Sequence, residues 1–207
     1  MLTEQQKKLN RKNLKQYKIN GVILMDFSVE ILKYPTEEDW MLCKRCTLNT
    51  IGKDSTKLPT DEWKHKLLES EHSPIRTLNY CIKMIIPYYV SVHFCRHFMG
   101  VTHFVQSQRN DRQDNYDRTM APQGEMVSHI MYINAQELMF MSRRRLCTQA
   151  DPMTRIVMEK ICDEVINVSP EMSGKLEPMC FYRGGRCTEF NCCGRNKAYK
   201  EDGVNNE

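Results

Sequence analysis

The sequence predicts an α+β domain, a mixed or antiparallel sheet flanked by helices. Three observations carry this. From Thr77 to Ile86, the residues Leu78, Tyr80, Ile82, Met84 and Ile86 recur at period two, the pattern of a strand with one buried face. Thr36-Glu37-Glu38-Asp39 and Asp151-Pro152 are helix starts, the first an N-cap with an acidic first turn and the second an N-cap followed by proline. Strand and helix signals follow one another unevenly, without the regular alternation of a doubly wound sheet. The 207 residues suit one domain with appendages: a basic N-terminal segment over 1–20, a central domain over 21–177 and a cysteine-rich tail over 178–207.

Taken in order, residues 1 to 18 are polar and helix-compatible, with Lys7, Lys8, Arg11, Lys12, Lys15 and Lys18 among them. Val22, Leu24, Phe27, Val29 and Ile31 predict a strand from Gly21 to Leu32 with one irregularity, stopped by Pro35. Thr36 then opens a helix reaching Cys46 or Leu48. Asn49 to Thr60 is loop, Asp61 to Ser70 a short helix, and Glu71-His72-Ser73-Pro74 its end. After the strand at Thr77, Pro87 suits the first turn of a helix running to Arg96-His97. Gly100 to Gln123 is predicted as a long polar loop, and Met126 to Arg145 as one helix with Ile130, Ile133, Leu138 and Met141 apolar. A last helix runs from Asp151-Pro152 to about Val168.

Composition narrows the function classes. No stretch approaches the roughly 18 consecutive apolar residues of a membrane span, since Lys83 and Pro87 break the run from Ile82 to Val92. The basic N-terminus has no apolar core behind it, so a secretory signal is not expected and the expected location is cytoplasmic. A net charge of +4 is weaker than the footprint of a nucleic-acid-binding domain, which argues against nucleic acid as the partner. In a reducing compartment the ten cysteines are free, metal-bound or reactive.

Chemistry concentrates between Cys95 and Arg112. Arg96, Arg109 and Arg112 lie there with His97, His103, Ser107, Gln106 and Gln108, just after the most apolar run of the chain. Guanidinium forks match phosphate and carboxylate geometry, so this composition points to an anionic or planar polar ligand.

The same residues resemble the signature of the flavin-dependent thymidylate synthases, R-H-R-x-x-S-x-N-x-x-S-x-R-Y. Arg96-His97 matches its start and Ser107-Gln108-Arg109 its end. His72-Ser73-Pro74, Arg118 four residues before Pro122, and Asn134-Ala135-Gln136-Glu137-Leu138 with Arg145 eleven residues after Asn134 are similar to further anchors of that family, in its order. Phe98 stands where the pattern has arginine, Asn110 where it has tyrosine, and Arg96 to Arg109 is one residue longer. The resemblance implies FAD as cofactor, NADPH and methylenetetrahydrofolate as co-substrates, dUMP as substrate, and a homotetramer with the flavin between subunits. The implied activity is transfer of a one-carbon unit to the uracil C5, yielding thymidylate. Implied catalytic residues are Ser107, Arg109 and Arg145, and implied nucleotide contacts are His93, Gln106, Ser107, Arg109, Arg118 and Arg145. Implied flavin contacts are Thr77, Arg96, His97 and Asn134. Ser107 reads as an orienting hydroxyl, since no base is identifiable beside it.

The cysteines offer a second constellation. Cys43 and Cys46 share a predicted helix while Cys180, Cys187, Cys192 and Cys193 crowd the tail, so Cys43, Cys46, Cys187 and Cys192 can be drawn as a tetrahedral zinc site. Free thiols and redox chemistry remain open beside it. His93 and His97, at i and i+4, form a pair without an acidic partner nearby. Two further functions stay open: a related flavoenzyme with altered chemistry on a pyrimidine nucleotide, such as hydroxymethylation, and a zinc-stapled nucleic-acid-binding or regulatory protein without flavin.

Overall fold

The structure is a computed structural model that describes residues 18–19, 22–23, 26–112 and 116–195. Most of the basic segment over 1–20 and the last part of the tail lie outside the described residues. Strands β1 (Lys18–Ile19) and β2 (Val22–Ile23) pair as a short antiparallel ladder. The main sheet has four strands, β3 (Ser28–Lys33), β4 (Asn79–Pro87), β5 (Val101–Val105) and β6 (Met126–Asn134), in the order β3-β4-β6-β5. Every neighbouring pair is antiparallel. Helices α1 (Glu37–Asn49), α2 (Asp61–Ser70), α3 (Tyr88–Cys95), α4 (Ala135–Arg145) and α5 (Pro152–Val168) complete the domain, with a single turn α6 (Met179–Tyr182) in the tail.

The α+β class with an antiparallel sheet agrees with the sequence, and so does the face of β4. Tyr80, Ile82, Met84 and Ile86 are buried, while the residues between them are half-exposed. Their burial against Phe94, Met131, Leu138 and Val157 forms the core. Each such side chain contributes about 1.5–3 kcal/mol on leaving water. The Thr36 start is a full capping box, with Thr36 Oγ1 accepting from Asp39 N and Thr36 N donating to Asp39 Oδ2 at 2.9 Å.

Three elements differ from the sequence expectation. The Gly21–Leu32 strand is two separate pieces, β2 and β3, with a register shift between Ile31 and Lys33. The long loop begins with a strand, β5, on the sheet edge. The single helix expected over Met126 to Arg145 is strand β6 followed by helix α4. Its apolar spacing fits both periods, and nine consecutive partners on β4 decide for the strand. Asn134 marks the junction: its backbone is extended, and its Oδ1 accepts from Glu137 N at 2.9 Å, capping α4.

Gly100 fixes how α3 meets that junction. It has φ +74°, and a Cβ there would lie 2.3 Å from Asn134 Nδ2. Only glycine lets the chain turn from α3 into β5 against the cap of α4. Among the described residues, no helix is long and apolar enough to cross a membrane.

Candidate functional site

The C-terminus of α3 and the exposed side of α4 face each other across a cleft of about 410 Å³. Arg96, His97, Phe98 and Met99 line it from one side, and Glu137, Phe140, Arg144 and Arg145 from the other. Residues 137, 140, 144 and 145 share one helical face by their spacing, since three or four residues make one turn. The tail closes the rim through Glu189.

A hydrogen-bonded chain runs along the floor. Arg145 Nε donates to His97 Nε2 at 3.1 Å, and His97 Nδ1 lies 2.9 Å from Glu137 Oε1. A guanidinium can only donate, so His97 Nε2 accepts and its ring proton sits on Nδ1, directed at the carboxylate. Arg145 Nη2 also donates to the His93 carbonyl at 2.8 Å. His97 is buried, and Arg145 is therefore held from two sides before any ligand arrives. Burial, and then the neighbouring Arg96 and Arg144, push the Arg145 pKa below its ordinary value. This is a concentration of positive charge that an anion relieves.

The Arg143-Arg144-Arg145 run splits into three roles because successive helical side chains point about 100° apart. Arg143 is buried in an ion pair with Glu71 and stacks on Tyr182, 3.5 Å from the ring centre. Arg144 sits at the rim, 3.7 Å from Glu189. Arg145 enters the floor.

The other expected site residues lie elsewhere. His93 adjoins the cleft through its carbonyl, while its Nδ1 is 2.7 Å from Thr154 Oγ1; its pKa is lowered, chiefly by burial. Asn134 serves as the α4 cap, and Thr77 Oγ1 donates to the Pro74 carbonyl at 2.9 Å. Gln106 prolongs the β5–β6 ladder, its N donating to Ser128 O at 2.7 Å and its Oε1 accepting from Ser128 N at 3.0 Å. Ser107, Arg109 and Arg118 stand on the exposed arm beyond β5, and none of them lines the cleft. Ser107 Oγ accepts from Arg109 N at 3.3 Å, and Arg109 forms a bidentate pair with Asp111 at 2.8 and 2.7 Å. Arg118 N donates to Asn110 Oδ1 at 3.0 Å.

Nor are the four cysteines gathered. Cys43 is buried, its Sγ donating to the Pro74 carbonyl at 3.3 Å, and burial pushes its thiol up to about 11. Cys187 and Cys192 line a small tail cavity with Cys147, Cys180 and Cys193, apart from Cys43 and Cys46. Glu137 has no visible role in the sequence, because its position as third residue of a capped helix emerges only with Asn134 as the cap.

The antiparallel sheet flanked by helices is a fold found in other solved structures. Two solved structures share it: thymidylate synthase X from Helicobacter pylori with FAD and dUMP, and the UMP/dUMP methylase PolB from Streptomyces cacaoi with 5-Br dUMP. The first matches at 13% identity over 73% of this chain and 97% of that one, with a TM-score of 0.57. For the second the values are 14%, 74%, 98% and 0.56. No family model and no curated protein matches the chain.

Proposed function

We propose that this protein is a flavin-dependent enzyme that transfers a one-carbon unit from methylenetetrahydrofolate to C5 of dUMP. The observation that carries the reading is the cleft where Arg145, fixed by His97 and the His93 carbonyl, lies with Arg96 and Arg144. It stands on a fold shared with a thymidylate synthase and a UMP/dUMP methylase.

The residues present suit a flavin nucleotide. Arg96 and Arg144 offer fork-shaped donors to phosphate, and the exposed Phe98, Met99 and the half-exposed Phe140 offer apolar surface to a planar ring. When bound, FAD would supply the redox chemistry of the one-carbon transfer, with NADPH as the reductant. The protein's part is placement. Glu137 holds His97 in one tautomer, His97 and His93 hold Arg145, and the remaining guanidinium donors of Arg145 are available to an anionic substrate. Arg109 and Arg118 on the arm, with Ser107, would join the nucleotide site in a homotetramer whose sites lie between subunits. Such a reading places the enzyme in the cytoplasm.

Phe98 supports a second reading. It is 78% exposed at the cleft, where the resemblance calls for arginine, and loss of that charge suits altered chemistry on the same nucleotide, such as hydroxymethylation. One experiment separates the readings. The purified protein is loaded with FAD and given dUMP, methylenetetrahydrofolate and NADPH, and the product is weighed by mass spectrometry. A methylated nucleotide supports the first reading and a hydroxymethylated one the second. Protein that takes up no flavin, shown by absence of visible flavin absorption, sinks both.

A further inference from the structure

Behind the cleft, on the covered face of the sheet, three side chains converge that the nucleotide reading does not use. The thiol of Cys95, an imidazole nitrogen of His103 and one of His129 all lie within 4.8 Å of one another. They come from the last residue of α3 and from two adjacent strands. Val105 is the register partner of His129, so His103 sits diagonally across from it on the same face. Ser91 lies one helical turn before Cys95 and completes the group.

The hydrogen bonds around this group are those of a ligand set with its supporting shell. His103 Nε2 is 2.7 Å from the His97 carbonyl, so it carries a proton and donates. This leaves His103 Nδ1 as the lone-pair nitrogen, 2.9 Å from His129 Nε2. His129 Nδ1 is 3.0 Å from Ser91 Oγ, and Ser91 sits on the same helix as Cys95, four residues before it. Each histidine therefore has one nitrogen turned inward and the other anchored on an oxygen, the arrangement that orients metal-bound imidazoles. A fully buried histidine facing a second histidine and a thiol is otherwise an expensive set to place in an apolar core.

We propose that Cys95, His103 and His129 bind a zinc ion, with a fourth position open to water. Two imidazoles and a thiolate form a borderline-to-soft donor set that suits zinc and disfavours magnesium or calcium. Tetrahedral zinc with bonds near 2.0–2.1 Å separates its two nitrogens by about 3.3 Å, so the pair need open only by a few tenths of an ångström. On binding, the Cys95 S–H bond breaks and an S–Zn bond forms, with the proton released to solvent. The His129 ring proton moves from Nε2 to Nδ1, which then donates a hydrogen bond to Ser91 Oγ as the serine hydroxyl proton turns away, leaving Nε2 free to bind the metal. No electron is transferred. The ion would pin the end of α3 to β5 and β6. Through the bond from His103 to the His97 carbonyl, it would brace the floor of the cleft.

The test uses the full chain with Cys180→Ser, Cys187→Ser, Cys192→Ser and Cys193→Ser together, which removes the competing tail thiols, and zinc alone as the probe. Metal analysis after dialysis should give one ion per chain, and cobalt in its place should show a thiolate-to-metal charge-transfer band. Adding Cys95→Ser, a partly exposed position that leaves the core intact, should abolish the band and the stoichiometric zinc. Ser91→Ala should weaken affinity by about 10- to 100-fold while keeping the band. Less than about half an ion per chain, or a band that survives Cys95→Ser, overturns the site. Zinc uptake is read without nucleotide or flavin, so its failure is distinct from failure of the enzymatic reading.

Discussion

In the cleft, Arg145 reaches partners 48 and 52 residues away in sequence, His97 and the His93 carbonyl. On the arm beyond β5, Arg109 grips Asp111, only two residues away, and both side chains are more than half exposed. The first arginine is set by hydrogen bonds between α4 and the end of α3, which tie together segments distant in sequence. The second is set by a local turn, and a ligand could take it at small cost, because an exposed ion pair is worth about 0–1 kcal/mol. A preorganised cation lowers the ordering cost of binding, while a locally paired one can move to a ligand presented from outside. A fixed cation in the cleft and an exposed, locally paired one on the arm are what the nucleotide reading needs.

Arg143 sharpens the contrast from the side of stability. It is buried and paired with Glu71, whose side chain is about one-fifth exposed, so Arg143→Ala should lower the unfolding free energy by about 3 kcal/mol, measured by denaturant melts, since it removes the charged partner of a partly buried carboxylate. A loss below about 1 kcal/mol would mean that Glu71 finds water and the pair is peripheral.

Acid tests the packing behind the cleft. Burial, and then the neighbouring His103, push the His129 imidazole down to about 4 from 6.5. Below pH 6.5 the unfolded chain takes up this proton and the folded protein does not, so metal-free stability should fall as pH drops from 6.5 to 4. The loss amounts to about 3 kcal/mol. Melts across that window check it, and His129→Gln should flatten the slope. An equally steep slope in the variant would assign the effect to other groups.

The nucleotide site itself responds to Arg145→Ala. Binding of dUMP, followed by calorimetry, should weaken by about 2 kcal/mol, roughly thirtyfold, if this guanidinium meets the phosphate. Unchanged affinity removes Arg145 from the site and erases the functional half of the contrast. The smallest effect belongs to the arm: Arg109→Ala should change stability by less than about 1 kcal/mol in the same melts. A larger loss would show that the arm is as firmly built as the cleft.

Much of this was legible in the residues. The cap at Thr36, the helix from Asp151-Pro152 and the inner face of β4 follow from local chemistry, and each is formed as expected. Arg96, His97 and Arg145 are expected from the sequence as candidate site residues, and the fold brings all three to one cleft. Glu137 is not, because the stretch before it reads as helix until β4 is known to pair with it. His129 was hidden for the same reason, since only the strand alternation turns it inward toward His103 and Cys95.

The sequence by itself determined the class of the domain, its capped helices and the cationic character of the site, because caps, periodicity and charge act over a few residues. Tertiary structure alone decided that Met126–Asn134 is a strand, that Arg145 and Arg109 part company, and that a thiol meets two imidazoles. Those outcomes rest on pairing between segments tens of residues apart, where the free energy of a ladder or a buried contact overrides a local preference of a few tenths of a kcal/mol per residue.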